Sequence, residues 1–310
     1  MAFDLMKFYK ELDTCYAEHD LEKTERFLKE QQKKAYENGA WIPQNNGCPS
    51  CVPEMEPNMD YVAVCNEMAC FYRSLSRWEE SLETFSLAQK ELESLYRKHT
   101  AEYATILLNK AGTYRYMGKL KEALEHFLQA DRIYAGLDYK EPATLAGLYN
   151  NIGLVYLDRK QPREAADYFR QAMEKLDQCE DCETERGTTW NNLAVAYDQK
   201  GESQKAEEAI EEAVHILQQL DGGMNPHYPA ALNTRGTFAF RKGNYEQALA
   251  DFEEALQKTR IVYGENTEYA SGCANCALVC RKLGREDEAK KWEEYKNDYP
   301  DDYNEKAEQE

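Results

Sequence analysis

The chain lacks any run of 18 or more apolar residues, and its first stretch, Met1 to Asp13, is amphipathic rather than continuously hydrophobic. A membrane-spanning helix needs about 20 predominantly apolar residues and a secretory leader needs an apolar central run, so neither is expected and a cytoplasmic protein is. Basic residues are in deficit: 38 Lys and Arg stand against 57 Asp and Glu, for a formal net charge of −19. Polyanions are held through a basic stripe that releases counterions; none is evident, so neither nucleic acid nor a membrane surface is expected as a partner. Strand-like segments of alternating polarity are missing, which makes the class all-α. Catalytic signatures are missing as well, with no G-x-x-x-x-G-K-[ST], no G-x-G-x-x-G after a strand, no H-E-x-x-H and no G-x-S-x-G. The five histidines (His19, His99, His126, His215, His227) are dispersed, whereas a general base needs a nucleophile and an orienting partner beside it. No enzymatic activity and no cofactor are expected.

What is present is a pattern that returns about every 42 residues. A small residue recurs at Ala69, Ala111, Gly153, Ala194, Gly236 and Ala277, with spacings of 42, 42, 41, 42 and 41, and a tyrosine follows three residues later at Tyr72, Tyr114, Tyr156 and Tyr197. Seven residues after each small residue comes Ser76, Gly118, Lys160, Gly201, Gly243 or Gly284, a position suited to a helix end because Gly accepts a positive φ. A second helix then carries Ser81, Ala123, Ala165, Ala206, Ala248 and Ala289, followed by Phe85, Phe127, Phe169, Ile210 and Phe252 and then by Ala88, Ala130, Ala172, Ala213 and Ala255. Small, bulky and small residues at i, i+4 and i+7 share one helix face. The small ones let two backbones approach and the bulky one fills the space against the neighbouring hairpin. Self-similarity at this period means stacked helical hairpins, each burying its apolar face against its neighbours.

This pattern resembles the tetratricopeptide repeat over roughly Tyr61 to Pro300. The Asn191–Tyr197 run (NNLAVAY), the linker Val262–Ala270 and the long period are similar to the kinesin-light-chain variety of that family. The resemblance implies a right-handed α-α superhelical solenoid of antiparallel hairpins, read as one elongated domain. The expected repeats are about 61–102, 103–144, 145–185, 186–227, 228–268 and 269–300. Before them, Phe3 to Tyr16 and Leu21 to Tyr36 read as a degenerate hairpin within residues 1–37, with Asp20 as an N-cap. A loop over residues 38–60 follows, where Pro43, Pro49, Pro53 and Pro57 forbid continuous helix. At the other end, Glu293 and Lys296 replace apolar residues as a capping repeat requires, and residues 301–310 form an acidic tail.

Ten cysteines include three C-x-x-C pairs: Cys48 with Cys51, Cys179 with Cys182, and Cys273 with Cys276, the last followed by Cys280. A zinc site needs converging ligands, and in a solenoid these groups fall on separated repeats. Cys273, Cys276 and Cys280 share a helix face, where free Cys packs as a small hydrophobe. The loop bearing Cys48 and Cys51 is the one candidate for a disulfide or a metal, but no metal is expected, and the expectation for the chain is ten reduced thiols.

In the resembling family the first helix of each hairpin lines a concave groove. The implied ligand-facing slots lie six, three and two residues before the small residue and one, four and five after it. The slots two and three before hold Asn66, Asn109, Asn150, Asn151, Asn191, Asn192, Asn233 and Asn275, with Glu67 and Thr234 as polar departures. Asn costs roughly 0.5–0.7 kcal/mol relative to Ala inside a helix, so a column of them has a role. Either the amides hydrogen-bond between repeats and to their own backbones, or they also grip a peptide backbone, which an amide matches with donor and acceptor alike. The slots four and five after hold Arg73, Arg115, Tyr116, Asp158, Asp198, Arg241, Arg281 and Lys282 among others. The groove is therefore expected to be basic at both ends and acidic in the middle. It would take a protein or peptide segment carrying acidic residues or a free C-terminal carboxylate, unless these arginines merely pair with neighbouring Glu. The two function classes are an interaction scaffold and a regulatory sensor of a short signalling peptide or small ligand.

Overall fold

The computed structural model describes residues 3–18, 20–39, 58–94, 97–263 and 267–297. Of the expected loop over 38–60, residues 40–57 with Cys48 and Cys51 lie outside these residues, as does the expected acidic tail; 38–39 are helical and 58–60 hold the cap and start of the next helix. Chain contacts divide the protein into two compact units, Met1–Lys140 and Glu141–Glu310, where the repeat count alone gives one array. Every regular element among the described residues is helical. The first unit holds α1 (Leu5–Ala17), α2 (Leu21–Gly39), α3 (Met59–Ser74), α4 (Trp78–Ser94), α5 (Ala101–Tyr116) and α6 (Leu120–Gly136). The second holds α7 (Pro142–Asp158), α8 (Pro162–Leu176), α9 (Glu183–Gln199), α10 (Ser203–Gln219), α11 (Tyr228–Arg241), α12 (Tyr245–Tyr263), α13 (Thr267–Lys282) and α14 (Glu286–Asn297).

Helix starts follow local chemistry. The side chains of Asp4, Asp20 and Asn58 accept from the backbone N–H three residues on, at 3.0, 2.9 and 3.0 Å, and Pro opens α7 and α8, where no backbone donor is needed. Within each of the six hairpins from α3 to α14 the first helix ends in one way. The turn residue has positive φ, from 57° at Ser76 to 81° at Gly243, and the next N–H bonds back to the carbonyl five residues earlier, as in Arg77 to Tyr72 at 3.0 Å and Gln161 to Tyr156 at 2.8 Å. This six-to-one bond satisfies a carbonyl that helix termination would leave without a donor. Four of the turns use Gly; Ser76 and Lys160 hold the left-handed conformation with a Cβ, which costs a non-Gly residue about 1 kcal/mol. Lys160→Gly is accordingly expected to stabilise the second unit by about that amount in urea denaturation.

The repeat register is the core. Phe85, Phe127 and Phe169 are fully buried, as are the paired alanines Ala88, Ala130 and Ala172. Gly153 and Gly236 occupy small slots where a Cβ would come within 2.4 Å of the Phe169 ring and 2.8 Å of the Phe252 ring. Cys273, Cys276 and Cys280 are buried among Leu249, Phe252 and Leu256, and burial pushes the Cys280 and Cys276 thiols up, away from reactive thiolate. The expectation of ten reduced thiols is corrected at one pair, and that pair is not Cys48 with Cys51, the candidate singled out by its proline-bearing loop. Cys179 and Cys182 form a disulfide across the short α8–α9 connection, with Cα atoms 5.9 Å apart. Two cysteines bracketing a tight turn meet this distance without any special partner, which a search for redox or zinc context passes over. Thiol titration of the denatured, unreduced protein should therefore count no more than eight of the ten cysteines.

The N-terminal hairpin packs on the first repeat. Phe8, Leu12, Leu28 and Ala35 join Val64, Met68, Phe71 and Tyr72 in one cluster, and Asn58 Nδ2 donates to the Ala35 carbonyl at 2.6 Å. Arg77 completes the junction. It donates to both Glu25 oxygens at 2.7 and 3.1 Å, pairs with Glu80, and lies 4.4 Å from the centre of the Tyr72 ring. The Arg77 hydrogen bonds hold the Glu25 carboxyl down at about 2, against 4.5 ordinarily. A depressed carboxyl contributes stability that is present above its unfolded value and lost as pH falls from about 4.5 toward 2. A shift of that size corresponds to about 3 kcal/mol, and screening by solvent that still reaches the pair leaves about 1–2. Glu25→Gln should flatten this part of the acid-unfolding curve while costing a similar amount at pH 7.

Candidate functional site

The candidate binding face is built by the first helices of the hairpins, whose positions are fixed by the small slots just described. In the first unit, α3 and α5 bring Asn66, Arg73 and Asn109 together. Asn109 Nδ2 donates to Asn66 Oδ1 at 2.8 Å, and Asn66 Nδ2 donates to Glu67 Oε1 at 3.3 Å. Arg73 reaches across to α5 and donates from Nη1 to the Asn109 backbone carbonyl at 2.8 Å. Gly112 leaves it room: a Cβ there would stand 3.0 Å from that nitrogen and the guanidinium would have to give by a few tenths of an ångström. A second guanidinium nitrogen faces Cys70 Sγ at 3.6 Å. Among the described residues no carboxylate lies within ion-pair distance of Arg73, so the rest of its five-donor fork is unused. Burial raises the Glu67 carboxyl beside it, against the Asn66 hydrogen bond and the Arg73 charge, which lower it, and burial pushes the Cys70 thiol up to about 11. At the far end of α5, Tyr116 is 63 % exposed and stacks parallel to Trp78, centroids 6.0 Å apart, with the Arg115 guanidinium 5.8 Å from its ring centre.

The second unit repeats the amide pairing. Asn192 Nδ2 donates to Asn150 Oδ1 at 3.4 Å, and Asn150 Nδ2 donates to Thr189 Oγ1 at 2.7 Å. Asn151 instead bonds its own helix, at the Gly147 carbonyl, 2.8 Å away. The amide oxygens of Asn191 and Asn233 are buried and receive no donor, the most costly state for such a group. Asn275 is half-buried on α13. The expected cations here are engaged: Arg241 pairs with Asp198, one repeat back, and Arg281 donates to Glu293 at 2.6 Å. Lys282 is exposed.

The structure thus brings together Asn66, Arg73 and Asn109, and separately Asn150 with Asn192. It gives Arg241 and Arg281 the neighbouring-carboxylate role that was the alternative to ligand recognition. Sequence reasoning missed Gly112, Thr189 and Trp78. Gly112 sits in the slot one after Ala111 and was legible in the register; Thr189 and Trp78 lie outside the implied slots. The first-unit face also gains Tyr9 and Tyr16 of α1, whose hydroxyls are raised by burial, with the Glu67 charge adding to the rise. The intervening loop breaks the period and hides that hairpin's register. Among the described residues no cluster of His, Cys, Asp and Glu could hold a metal ion, and no helix is long and apolar enough to cross a membrane. Cys48 and Cys51, the candidate metal ligands, fall outside the described residues.

The tetratricopeptide repeat model matches residues 62–135, 144–219 and 228–294, well over half the chain. The protein belongs to the tetratricopeptide repeat family. Solved structures similar to it include the apo form of RapI, 13% identical with a TM-score of 0.66 over 96% of this chain and 97% of that one. NprR in complex with its cognate peptide NprX is 20% identical with a TM-score of 0.57, over 96% of this chain and 78% of that one; NprR is described as a quorum sensor from B. thuringiensis. A putative kinesin light chain from Podosopora anserina with nearly identical TPR-like repeats is 18% identical with a TM-score of 0.53, over 69% of this chain and 95% of that one. At these identities the likeness is one of fold. No curated protein sequence matches the chain significantly.

Proposed function

We propose that the protein is a non-catalytic, cytoplasmic interaction module that binds a peptide segment of a partner protein on the first-helix faces of its repeats. The observation that carries this reading is Arg73: a guanidinium fixed over Gly112, beside the Asn66–Asn109 pair, with no ion-pair partner among the described residues of a chain rich in carboxylates. A fixed fork with unused donors matches a carboxylate bidentately, and the adjoining amides match a peptide backbone without regard to its sequence. The segment would carry an acidic residue or a C-terminal carboxylate near Arg73, while Tyr116 on Trp78 offers an exposed aromatic platform beyond it. That a similar fold has been crystallised with a peptide supports the reading by analogy of fold.

A second reading, a sensor of a short signalling peptide, draws on the extent of the match to RapI and NprR, which reaches 96% of this chain in each case. The two differ in response. A sensor gains a rise in melting temperature from a free short peptide, whereas a docking module gains it only from the longer segment of its partner. The shared claim is tested on a peptide array displaying acidic and C-terminal sequences: Arg73→Glu should abolish the signal of acidic peptides, and an unchanged array would remove Arg73 from recognition.

A further inference from the structure

The first unit carries a half-open depression, built by elements outside the first-helix face. The connection before α5 and the C-terminal half of α6 line about 630 Å³. Lys98 and His99 stand on one side, Gln129 and Arg132 on the other, and Ile133 and Leu137 form the apolar wall. No Asp or Glu is among the described lining residues, although acids outnumber bases 57 to 38 in the chain. Lys98 keeps Glu93 at 3.5 Å, while Arg132 and His99 have no ion pair among the described residues. Leu137 is 43 % exposed beside these cations.

Helix α6 ends here, and bare C-terminal carbonyls would repel an anion. Three of the last four are capped: the N–H groups of Leu137, Asp138 and Tyr139 bond the carbonyls of Ile133, Ala135 and Tyr134 at 3.1, 3.3 and 3.1 Å. What remains is a cationic rim over an aliphatic wall, in the size range of small-molecule sites, roughly 300–1,000 Å³.

We propose that this depression binds a small carboxylate with an aliphatic body, whether a free medium-chain acid or a chain end that terminates in a large aliphatic residue. Arg132 receives the carboxylate through its planar fork, His99 and Lys98 add charge, and the aliphatic body lies on Ile133 and Leu137. Neither an inorganic anion nor an alkylammonium ion satisfies both halves.

Isothermal titration of the full chain with octanoate, acetyl-Gly-Gly-Leu bearing a free carboxylate, octylammonium and inorganic phosphate tests this. Saturable one-to-one binding of octanoate, of the peptide, or of both is expected, and which of them binds identifies the source. Phosphate should bind at least roughly tenfold more weakly and octylammonium not at all. Arg132 is exposed, so Arg132→Glu should leave the melting temperature unchanged while weakening carboxylate binding by roughly tenfold or more. Arg73→Glu, on the other face, should leave octanoate binding unchanged, which separates this site from the peptide surface. The proposal is overturned if neither carboxylate binds. It is equally overturned if phosphate or octylammonium binds as well as octanoate, or if binding survives Arg132→Glu combined with His99→Glu.

Discussion

Phe169→Ala is expected to destabilise the second unit by about 3–5 kcal/mol, the cost of deleting a buried aromatic ring and leaving its cavity. The ring is fully buried in a cluster with Leu157, Ala165, Ala166, Leu193 and Ala194, and the α7 backbone approaches it so closely that Gly153 has no room for a Cβ. Alanine slots on the surrounding helices already bring backbones near contact, so little collapse can refill the space. Gly153→Ala works against the same ring from the other side. It gains about 1 kcal/mol of helix propensity and loses about 1–3 to overpacking, so the net change is a smaller destabilisation. Combining Gly153→Leu with Phe169→Ala should restore at least about 1 kcal/mol relative to the sum of the single changes, because one side chain then fills what the other vacates. Urea denaturation of the four proteins measures the coupling; strict additivity would mean that the two positions do not share a cavity.

Arg73→Glu is the second large effect, and it falls on binding rather than folding. The wild-type guanidinium is positioned by the Asn109 carbonyl and by the absence of a side chain at Gly112, so little ordering remains to be done when a carboxylate arrives. Losing a charge-assisted bond of about 1.5–3 kcal/mol, and placing a like charge there, should weaken an acidic peptide by roughly 10- to 100-fold or more. Gly112→Val tests the same geometry without touching charge. It drives the guanidinium off the Asn109 carbonyl, and a loss of affinity with unchanged melting temperature identifies the cradle rather than net charge as the cause. Arg281→Glu, whose wild-type partner is Glu293, should have a much smaller effect.

The contrast between Arg73 and Arg281 shows where the sequence is readable and where it is not. Helix count, hairpin register, the small and bulky slots and the left-handed turns follow from a 42-residue period, because close packing allows each slot only one size of residue. Even Ser76 and Lys160, which lack the Gly that usually marks such a turn, are located by register alone. The partners of surface charges are not periodic. Whether an arginine meets Glu293 or a backbone carbonyl depends on side-chain reach and on a missing Cβ across a helix interface, and the same slot gives both outcomes. The asparagine column divides likewise: Asn66, Asn109, Asn150 and Asn192 join successive repeats, whereas Asn151 bonds its own helix. The Cys179–Cys182 disulfide depends on a turn geometry that repeat logic does not supply. Spacing alone makes Cys48 and Cys51 look no different from that pair.

Peptide binding on the first-helix faces is tested most directly by hydrogen–deuterium exchange of the full chain with and without an acidic peptide selected on the array. Added protection should concentrate in α3 and α5, around Asn66, Arg73 and Asn109, and disappear in Arg73→Glu. Protection confined to the second helices, α4 and α6, would contradict the assignment of the binding face.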